Sequence, residues 1–281
     1  MSKRKVVITG ACGFIMTRVL PELRKKYDLT LLDIRNTNPE GHTVEGVILT
    51  DLLDRNRDRY RKHFQGADAV VHSGFVRTKG LTGQYWAEID GINMAHNVLQ
   101  TCVEENVRRV VAISSNHAGD YYENLIWDGK MLGVTPDMKP LSDNFYGWAK
   151  IGYEALGFVF ATGKTNGGTK LPNVQLRIGA PRETGIDSCG PENLKKLHRA
   201  LGAYLSVRDE VQLIVKSIET ENIEDENGVP FQIFYGISAN THAFWSIANA
   251  RRIIGYEPED DSAIRFADRV AEIIAEAKRG V

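Results

Sequence analysis

Short apolar runs alternate with longer amphipathic stretches through the first 180 residues of the chain. The runs are rich in Val, Ile and Leu and cover residues 5–9, 29–33, 69–72, 109–114 and 174–177. Between them, helical spacing of apolar residues is clearest at 95–106 and 146–160. Strands that are apolar throughout and alternate with helices indicate a parallel sheet covered on both faces. Because crossovers between parallel strands are right-handed, we expect an α/β fold with a doubly wound parallel sheet.

The alternating pattern ends near residue 180, where proline and glycine residues mark an irregular segment. The remaining sequence predicts helices and one strand, at 208–219, 231–237 (the strand), 245–254 and 262–278. We therefore divide the chain into residues 1–180, which carry the main sheet, and residues 181–281, a small portion packed on it within a single structural unit. Two connections, 122–144 and 163–172, are long for such a fold and are interpreted as binding elements or surface insertions.

Composition limits the expected partners. The 35 basic and 36 acidic residues nearly cancel and no basic run stands out, so neither nucleic acid nor a membrane surface is an expected partner. Cys12, Cys102 and Cys189 are few, far apart and odd in number, which argues against a disulfide framework and against a metal site. The apolar run near the N-terminus is too short for a signal peptide, and none approaches the roughly 18 residues of a membrane helix. We expect a soluble, cytoplasmic protein.

A glycine turn follows the first predicted strand and opens a helix, in the sequence VVITGACGFI. Gly10 permits the tight turn, and Gly13 lets the backbone approach a pyrophosphate at the helix N-terminus. Asp33 ends the second strand, where a carboxylate accepts the ribose hydroxyls of NAD and repels the extra phosphate of NADP. Arg35 lies close enough to keep NADP open. Met16 replaces the usual third glycine, which predicts a slightly wider approach of helix to strand.

Two further segments lie where the rest of a dinucleotide would pass. Asp51 and Leu52 follow an apolar run and are placed to hold the adenine end, although a helix cap is an equally good interpretation of Asp51. Small residues, Ser73 and Gly74, end the third predicted strand. We interpret His72, immediately before them, as a core histidine with a satisfied hydrogen bond.

Tyr146 and Lys150 lie four residues apart and therefore on one face of a helix. A tyrosine acts as a base near neutral pH only when its pKa falls below the ordinary value of about 10, and a nearby ammonium group favours the phenolate. Ser115 ends the fourth strand, where the carboxyl ends of parallel strands build binding sites, and its hydroxyl is placed to hold a substrate hydroxyl beside the tyrosine. Together with the glycine turn, this order of residues predicts a nicotinamide-linked enzyme.

As a set, these motifs resemble the extended short-chain dehydrogenase/reductase superfamily over nearly the whole chain. Within it, the sequence SSNH at 114–117, the tyrosine pair that follows at 121–122, and segments 199–211, 235–245 and 250–262 resemble the uronate dehydrogenase branch. That branch also includes archaeal-type NAD-dependent glucose-6-phosphate and pentose dehydrogenases. The resemblance implies a Rossmann-like fold, a homo-oligomer, and NAD-dependent oxidation of C1 of a cyclic sugar to a lactone.

The resemblance also implies roles for individual residues, with Ser115, Tyr146 and Lys150 as the catalytic triad. The implied cofactor contacts are Gly10, Cys12, Gly13, Phe14, Ile15, Asp33, Asp51, Leu52, Ser73, Gly74, Lys150 and Ile178. The implied substrate contacts are Arg77, Ser115, Asn116, His117, Tyr146, Arg199 and Phe244, with Arg199 meeting an acidic group. A structural hydrogen bond for His117 and a solvated position for Arg199 stay open as alternatives.

The departures from the branch concern the sugar. Uronate dehydrogenases carry small hydroxyl residues where this chain has Arg77 and Ala180. Arg77, with Arg182 as a second cation, predicts an acidic sugar, that is, a uronate, a sugar 6-phosphate or a sulfonated hexose. The loop 123–138 is longer than expected for the branch, and we interpret it either as a cap over the pocket or as a surface insertion.

Two other functions are compatible with parts of the pattern. A nucleotide-sugar epimerase or dehydratase that retains its cofactor has the same motifs, although the roughly 100 residues after position 180 are few for gripping a nucleotide. A non-catalytic NAD-binding regulator is a more remote alternative, since such proteins commonly lose the tyrosine or the lysine. This chain keeps both Tyr146 and Lys150.

Overall fold

Seven parallel strands form one sheet in the computed structural model, which describes residues 3–78 and 83–280. Their order across the sheet is β3-β2-β1-β4-β5-β6-β7. The strands are β1 Lys5–Thr9, β2 Asp28–Asp33, β3 Val47–Leu49, β4 Ala69–His72, β5 Arg109–Ser115, β6 Asn173–Ile178 and β7 Phe231–Gly236. The doubly wound parallel sheet and all six predicted strands are confirmed; β3 is a strand that the sequence reasoning did not identify.

Apolar side chains of the central strands fill two layers, one on each face of the sheet. Successive residues of a strand point to opposite faces, so Val6 and Ile8 pack on one side and Val7 on the other. The first layer also holds Leu23 and Leu213, and the second holds Phe160. Strands buried on both faces explain why the runs are apolar throughout and do not alternate.

Helices cover both faces of the sheet. They are α1 Phe14–Lys26, α2 Gln84–Glu104, α3 Tyr121–Trp127, α4 Phe145–Thr162, α5 Leu194–Ala203, α6 Val207–Glu219, α7 Ala248–Ile254, α8 Ser262–Arg265 and α9 Ala267–Lys278. The helix predicted from residue 95 begins eleven residues earlier, and the one predicted at 262–278 is interrupted at Phe266. Sequence reasoning missed α3 and α5. Within the described residues, no helix is both long and apolar enough to cross a membrane.

The residues after position 180 extend the same sheet and also cover its carboxyl edge. Strand β7 pairs with β6 along its whole length, and α6 packs against α1. An isolated bridge joins Ala180 to Tyr204. The proposed boundary at residue 180 stays a prediction, as does the cytoplasmic location. Cys12, Cys102 and Cys189 are buried free thiols.

Candidate active site

The glycine turn between β1 and α1 is built by backbone geometry. Gly10 has a φ of +66°, and a Cβ there would meet the Ser73 carbonyl oxygen at 2.5 Å. The Gly13 amide donates to the Gly10 carbonyl at 2.9 Å. Gly13 is the N-cap of α1, which has neither a side-chain cap nor an acidic residue in its first turn. The first amides of α1 are therefore available to an anion.

Asp33 faces this turn from the end of β2. One carboxylate oxygen accepts from the Cys12 amide at 2.9 Å and the other from the Arg35 amide at 3.3 Å. The Cys12 thiol donates to the Arg35 carbonyl at 3.1 Å, and burial, with the Asp33 charge, raises its pKa to about 11. The carboxylate is thereby fixed beside the uncapped helix. An anion-binding helix end next to a fixed acceptor fits a dinucleotide such as NAD.

Other predicted cofactor residues lie along the same edge, in different degrees of burial. Phe14 and Ile15 open α1, and Ser73 and Gly74 follow β4, where the Ser73 amide donates to the Thr9 carbonyl at 3.1 Å. Ile178 ends β6 with its side chain in the core. Asp51 closes a local turn by accepting from the Leu53 amide at 2.9 Å, while Leu52 is buried. Direct contact between these residues and a cofactor stays a prediction.

Lys150 is buried on α4 and reaches back to β5. Its ammonium donates to the Ile113 carbonyl at 2.9 Å and lies 5.6 Å from the centroid of the Tyr146 ring. Burial lowers the pKa of Lys150 to about 8, against the opposing charges of Glu88 and Glu154. His72 is a core histidine, as predicted: its ring is 3% exposed and Nδ1 bonds Thr9 at 2.7 Å, whereas Nε2 is buried without a partner among the described residues.

The Tyr146 ring lies between Phe75 and His117, with centroid distances of 5.6 and 5.4 Å. Burial raises the pKa of Tyr146, and a hydrogen bond with Ser115 opposes that rise. The sequence led us to expect that Lys150 would lower this pKa. Lys150 donates its hydrogen bond to the Ile113 carbonyl of β5, and its effect on Tyr146 stays a prediction; the hydrogen bond with Ser115 lowers the tyrosine pKa directly. The three predicted catalytic residues nevertheless converge at the carboxyl end of β5.

Helix α4 begins in very close contact with the segment after β5. Asn144 caps the helix by accepting from the Gly147 amide at 2.9 Å. A Cβ at Gly147 would lie 2.1 Å from the His117 carbonyl oxygen, so only glycine fits at this position, directly after Tyr146. This contact fixes the position of Tyr146 relative to Ser115 and His117.

Four ionisable side chains lie next to one another beyond the tyrosine, and we call them the substrate cluster: His117, Asp120, Glu123 and Arg199. His117 Nδ1 bonds Asp120 Oδ2, which also accepts from Asn144 Nδ2 at 2.8 Å. Arg199 Nε donates to both carboxylate oxygens of Glu123 at 2.9 Å, and its Nη2 lies 3.7 Å from Asp120 Oδ1. Burial raises the pKa of Glu123 against the pull of Arg199. Arg199 is thus an ion-paired residue and not a solvated one.

The other predicted substrate residues are placed differently. Asn116 is 1% exposed and adjoins Ser115, with 3.5 Å between Ser115 Oγ and Asn116 Oδ1. Phe244 is buried in an aromatic cluster with Trp127 and Trp245, so its side chain presents little surface to a ligand. Arg77 is exposed. The guanidinium of Arg182 lies 5.0 Å from the Phe14 ring, on the cofactor side.

The long connection 122–144 is attached to the C-terminal part of the chain. The Val134 amide donates to the Phe244 carbonyl at 2.7 Å, and the Ser246 amide donates to the Val134 carbonyl at 2.8 Å. Trp127, Met131 and other apolar side chains of the connection pack on the aromatic cluster around Phe244. This packing favours the interpretation of the connection as part of the site and not as a surface insertion.

A buried ion pair ties α4 to the sheet. Glu154, four residues after Lys150, accepts from Ser114 Oγ and from Arg177 Nε and Nη2, each at 2.8 Å. Arg177 also donates to the Tyr235 hydroxyl at 3.0 Å. These bonds tie α4 to β5, β6 and β7 with every charge paired, which fixes the helix that carries Tyr146 and Lys150.

Sequence reasoning missed three residues of the site: Asp120, Glu123 and Phe75. His117, Asp120 and Glu123 follow one another at intervals of three, a spacing that places side chains on one helical face. That spacing was the available signal for the carboxylates. Phe75 carries no comparable signal, because its contact with Tyr146 joins two segments distant in sequence.

Curated relatives match most of this chain at low identity. It is 28% identical to an L-arabinose 1-dehydrogenase (NAD(P)+) from Haloferax volcanii, over 92% of this chain and 98% of that protein. It is 27% identical to an NAD-dependent glucose-6-phosphate dehydrogenase from the same organism, over 92% of this chain and 94% of that protein. The solved structure of a glucuronic acid dehydrogenase from Chromohalobacter salexigens superposes with a TM-score of 0.74 at 21% identity, covering 96% of this chain and 89% of the other.

A family profile matches residues 6–155, from the first strand to the middle of the catalytic helix. That range holds the glycine turn, Asp33, Ser115, Tyr146 and Lys150, which are the residues that sequence and geometry single out together. Because the match covers more than half of its length, the chain belongs to the NAD dependent epimerase/dehydratase family.

Proposed function

We propose that this protein is an NAD-dependent sugar dehydrogenase that oxidises C1 of a cyclic aldose to the lactone. The observation that carries the proposal is the convergence of Ser115, Tyr146 and Lys150 at the carboxyl end of β5, on the sheet edge that also holds the glycine turn. The dehydrogenase activities named for the two Haloferax relatives support the reaction class. The name L-arabinose 1-dehydrogenase supports C1 as the site of oxidation.

Tyr146 is the proposed base, and two neighbouring side chains, Ser115 and Lys150, favour its deprotonated form. A hydrogen bond between the Ser115 and Tyr146 side chains lowers the pKa of the tyrosine, against the rise that burial causes. Lys150 holds a positive charge 5.6 Å from the ring centroid, a separation at which an opposite charge also favours the phenolate. Tyr146 then takes the proton of the anomeric hydroxyl, while Ser115 and Asn116 orient the sugar.

NAD, when bound, would supply the acceptor for the hydride that leaves C1. The residues fit this cofactor, because the uncapped start of α1 suits a pyrophosphate and Asp33 suits ribose hydroxyls. We expect Lys150, whose buried ammonium adjoins Tyr146, also to bind the nicotinamide ribose. The lactone product can hydrolyse afterwards without a further residue of this site.

The alternative within the family is an epimerase or dehydratase, which would retain its cofactor, return the hydride in each turnover and release no net NADH. Steady NADH formation therefore separates the two functions. We would measure initial rates by NADH absorbance with neutral and acidic aldoses, each with NAD and with NADP. Stoichiometric NADH with at least one aldose is the expected result, and NAD binding without net NADH from any aldose would favour the epimerase alternative.

Tyr146→Phe tests the assignment of the base. Removing the phenol oxygen should lower kcat by at least about 100-fold, the usual contribution of a general base, while NAD affinity is retained. Tyr27→Phe is the matched control, because Tyr27 hydrogen-bonds Glu219 far from the site. Turnover of Tyr146→Phe within a few-fold of the wild type would refute the proposal.

We also propose a homodimer formed through α2 and α4. Aromatic side chains of these helices form an exposed patch, in which Tyr85 stacks on Trp148 at 5.7 Å and meets Phe145 at 5.6 Å. Such a patch favours association. Sedimentation velocity should give a dimer for the wild type and a monomer for Trp86→Glu, whereas Leu132→Glu, at an exposed position elsewhere, should stay dimeric. A monomeric wild type would contradict the proposal.

A further inference from the structure

Arg199, the cation expected to bind an acidic sugar, is already engaged within the substrate cluster. Its Nε bonds both oxygens of Glu123 at 2.9 Å, and its Nη2 lies 3.7 Å from Asp120. The three side chains are 28%, 14% and 13% exposed, respectively, so water screens the charges only partly. Trp245 covers the guanidinium with its ring centroid 5.8 Å away.

The charges of this cluster do not balance in favour of an anion. Two carboxylates, Asp120 and Glu123, face one guanidinium, and the fourth member, His117, bonds Asp120 through Nδ1. A uronate or a sugar phosphate approaching Arg199 would have to displace Glu123 and leave that carboxylate half-buried beside a second negative group. Like charges brought together in such a setting strongly disfavour a wrong ligand.

The substrate cluster and the neighbouring Asn116 contain hydrogen-bonding atoms that suit a neutral hydroxyl. Asp120 Oδ1, an acceptor, and Asn116 Nδ2, a donor, are both buried and have no hydrogen-bond partner among the described residues. A sugar hydroxyl donates and accepts at once, so it can satisfy both kinds of atom. A carboxylate or a phosphate dianion accepts only, and it leaves Asp120 Oδ1 without a donor.

The other two cations predicted for an acidic group form no ion pair with the cluster among the described residues. Arg182 stacks against Phe14, at the start of the cofactor helix α1. Arg77 is exposed, and it follows Phe75 on the segment that leaves β4. Neither residue belongs to the substrate cluster. The charge next to His117 is therefore decided by Glu123, Asp120 and Arg199.

We infer that Glu123 determines the charge of the substrate: by holding Arg199 it makes the pocket select neutral aldoses and reject uronates and sugar phosphates. This inference rests on the proposed sugar dehydrogenase function. It replaces the acidic sugar expected from the sequence with a neutral pentose or hexose. Glu123 acts as a specificity-determining residue, since it touches Arg199 and adjoins the catalytic tyrosine only through Asp120 and His117.

The wild-type enzyme gives the first test, through pairs of sugars that differ only at C6, where one member carries an acidic group. Glucose and glucuronate form one pair, galactose and galacturonate a second, and glucose with glucose 6-phosphate a third. In each pair with measurable activity, kcat/KM should be at least about tenfold higher for the neutral sugar, which corresponds to about 1.4 kcal/mol. An acidic sugar used as well as its neutral counterpart would overturn the inference.

Glu123→Gln gives the second test, because it removes the charge and keeps the shape. The ratio of kcat/KM for the acidic sugar to that for the neutral sugar should rise by about tenfold or more, as Arg199 becomes available. The double variant Glu123→Gln/Arg199→Gln should lose that gain. Glu105→Gln is the matched control: Glu105 also pairs with an arginine, Arg61, at the far end of α2, and its loss should leave the ratio unchanged.

The outcomes separate this inference from the function on which it rests. If no aldose yields NADH although NAD binds, the proposed function fails. If neutral sugars are oxidised but Glu123→Gln, folded by its thermal unfolding curve, leaves the acidic-to-neutral ratio unchanged, the inference alone fails. If Glu123→Gln does not fold, the wild-type pairs decide the matter.

Discussion

The two edges of the active site are held by different kinds of interaction. At the cofactor edge, Gly10 and Gly13 shape the backbone, and Asp33 is fixed by backbone amides. In the substrate cluster, side chains hold one another across the chain, as in the pair between Glu123 and Arg199, 76 residues apart. The first edge follows from local backbone chemistry and tolerates little change. The second depends on which charges meet, and so a single substitution is able to retune it.

Gly10→Ala should break the cofactor edge and have the largest effect. The added Cβ meets the Ser73 carbonyl oxygen at 2.5 Å in a backbone with a φ of +66°. Together, strain and clash should weaken NAD binding by about 100-fold or more, equivalent to about 2.7 kcal/mol. Gly66→Ala is the matched control, because Gly66 precedes the start of β4, with a φ of +68° and open space around it, and its substitution should leave NAD affinity unchanged. Calorimetric NAD affinity that falls equally in both variants would contradict this account.

Asp120→Asn should weaken the substrate cluster and leave the cofactor edge intact. The substitution removes a charge-assisted hydrogen bond to His117 that is worth about 2 kcal/mol, so kcat/KM for the sugar should fall by about 30-fold. The affinity for NAD should not change. Asp68→Asn, which breaks an ion pair with Arg108 at the other edge of the sheet, is the control. A parallel loss of NAD affinity in Asp120→Asn would mean that the two edges are not separable.

Glu210 joins the two parts of the molecule and should affect stability more than turnover. It lies on α6, is fully buried, and has Arg18 of the cofactor helix 3.4 Å away as its ionic partner. Burial raises the pKa of Glu210 from 4.5 to about 8, against the charge of Arg18. A carboxyl group whose pKa is raised by folding stabilises the protein below its unfolded pKa, and this contribution is lost as the pH rises through the folded value.

The free energy of unfolding should therefore fall by a few kcal/mol between about pH 4.5 and pH 8 because of this residue. Urea unfolding at a series of pH values should show the decline in the wild type and a flatter curve in Glu210→Gln. Glu259→Gln, in which an exposed partner of Arg208 is changed, should retain the wild-type slope. Curves of the wild type and Glu210→Gln that run parallel across this window would refute the assignment.

The same division explains what the sequence could predict. Strands β4, β5 and β6 are buried throughout and β1 is buried except at Lys5, so their composition identifies them. Strand β3 is a run of three apolar residues, none of them buried, and is too short for its composition to identify it as a strand. Tyr146 and Lys150 lie four residues apart on one helix, so the sequence predicted that they share a helical face. The bond between Glu123 and Arg199 forms only when α3 and α5 meet, so the sequence identified the arginine but not the carboxylate that holds it.

The close contact at Gly147 has a consequence for how such an enzyme diversifies. A Cβ at Gly147 would overlap the His117 carbonyl, so the start of α4 cannot accept a side chain at that position without a shift of the neighbouring backbone. We therefore expect changes of substrate specificity to arise in the residues around this contact and not at Gly147. The places open to innovation are α3, the start of α5 and the connection that Val134 attaches to residues 244–246. New sugars can be accommodated there without rebuilding the catalytic centre.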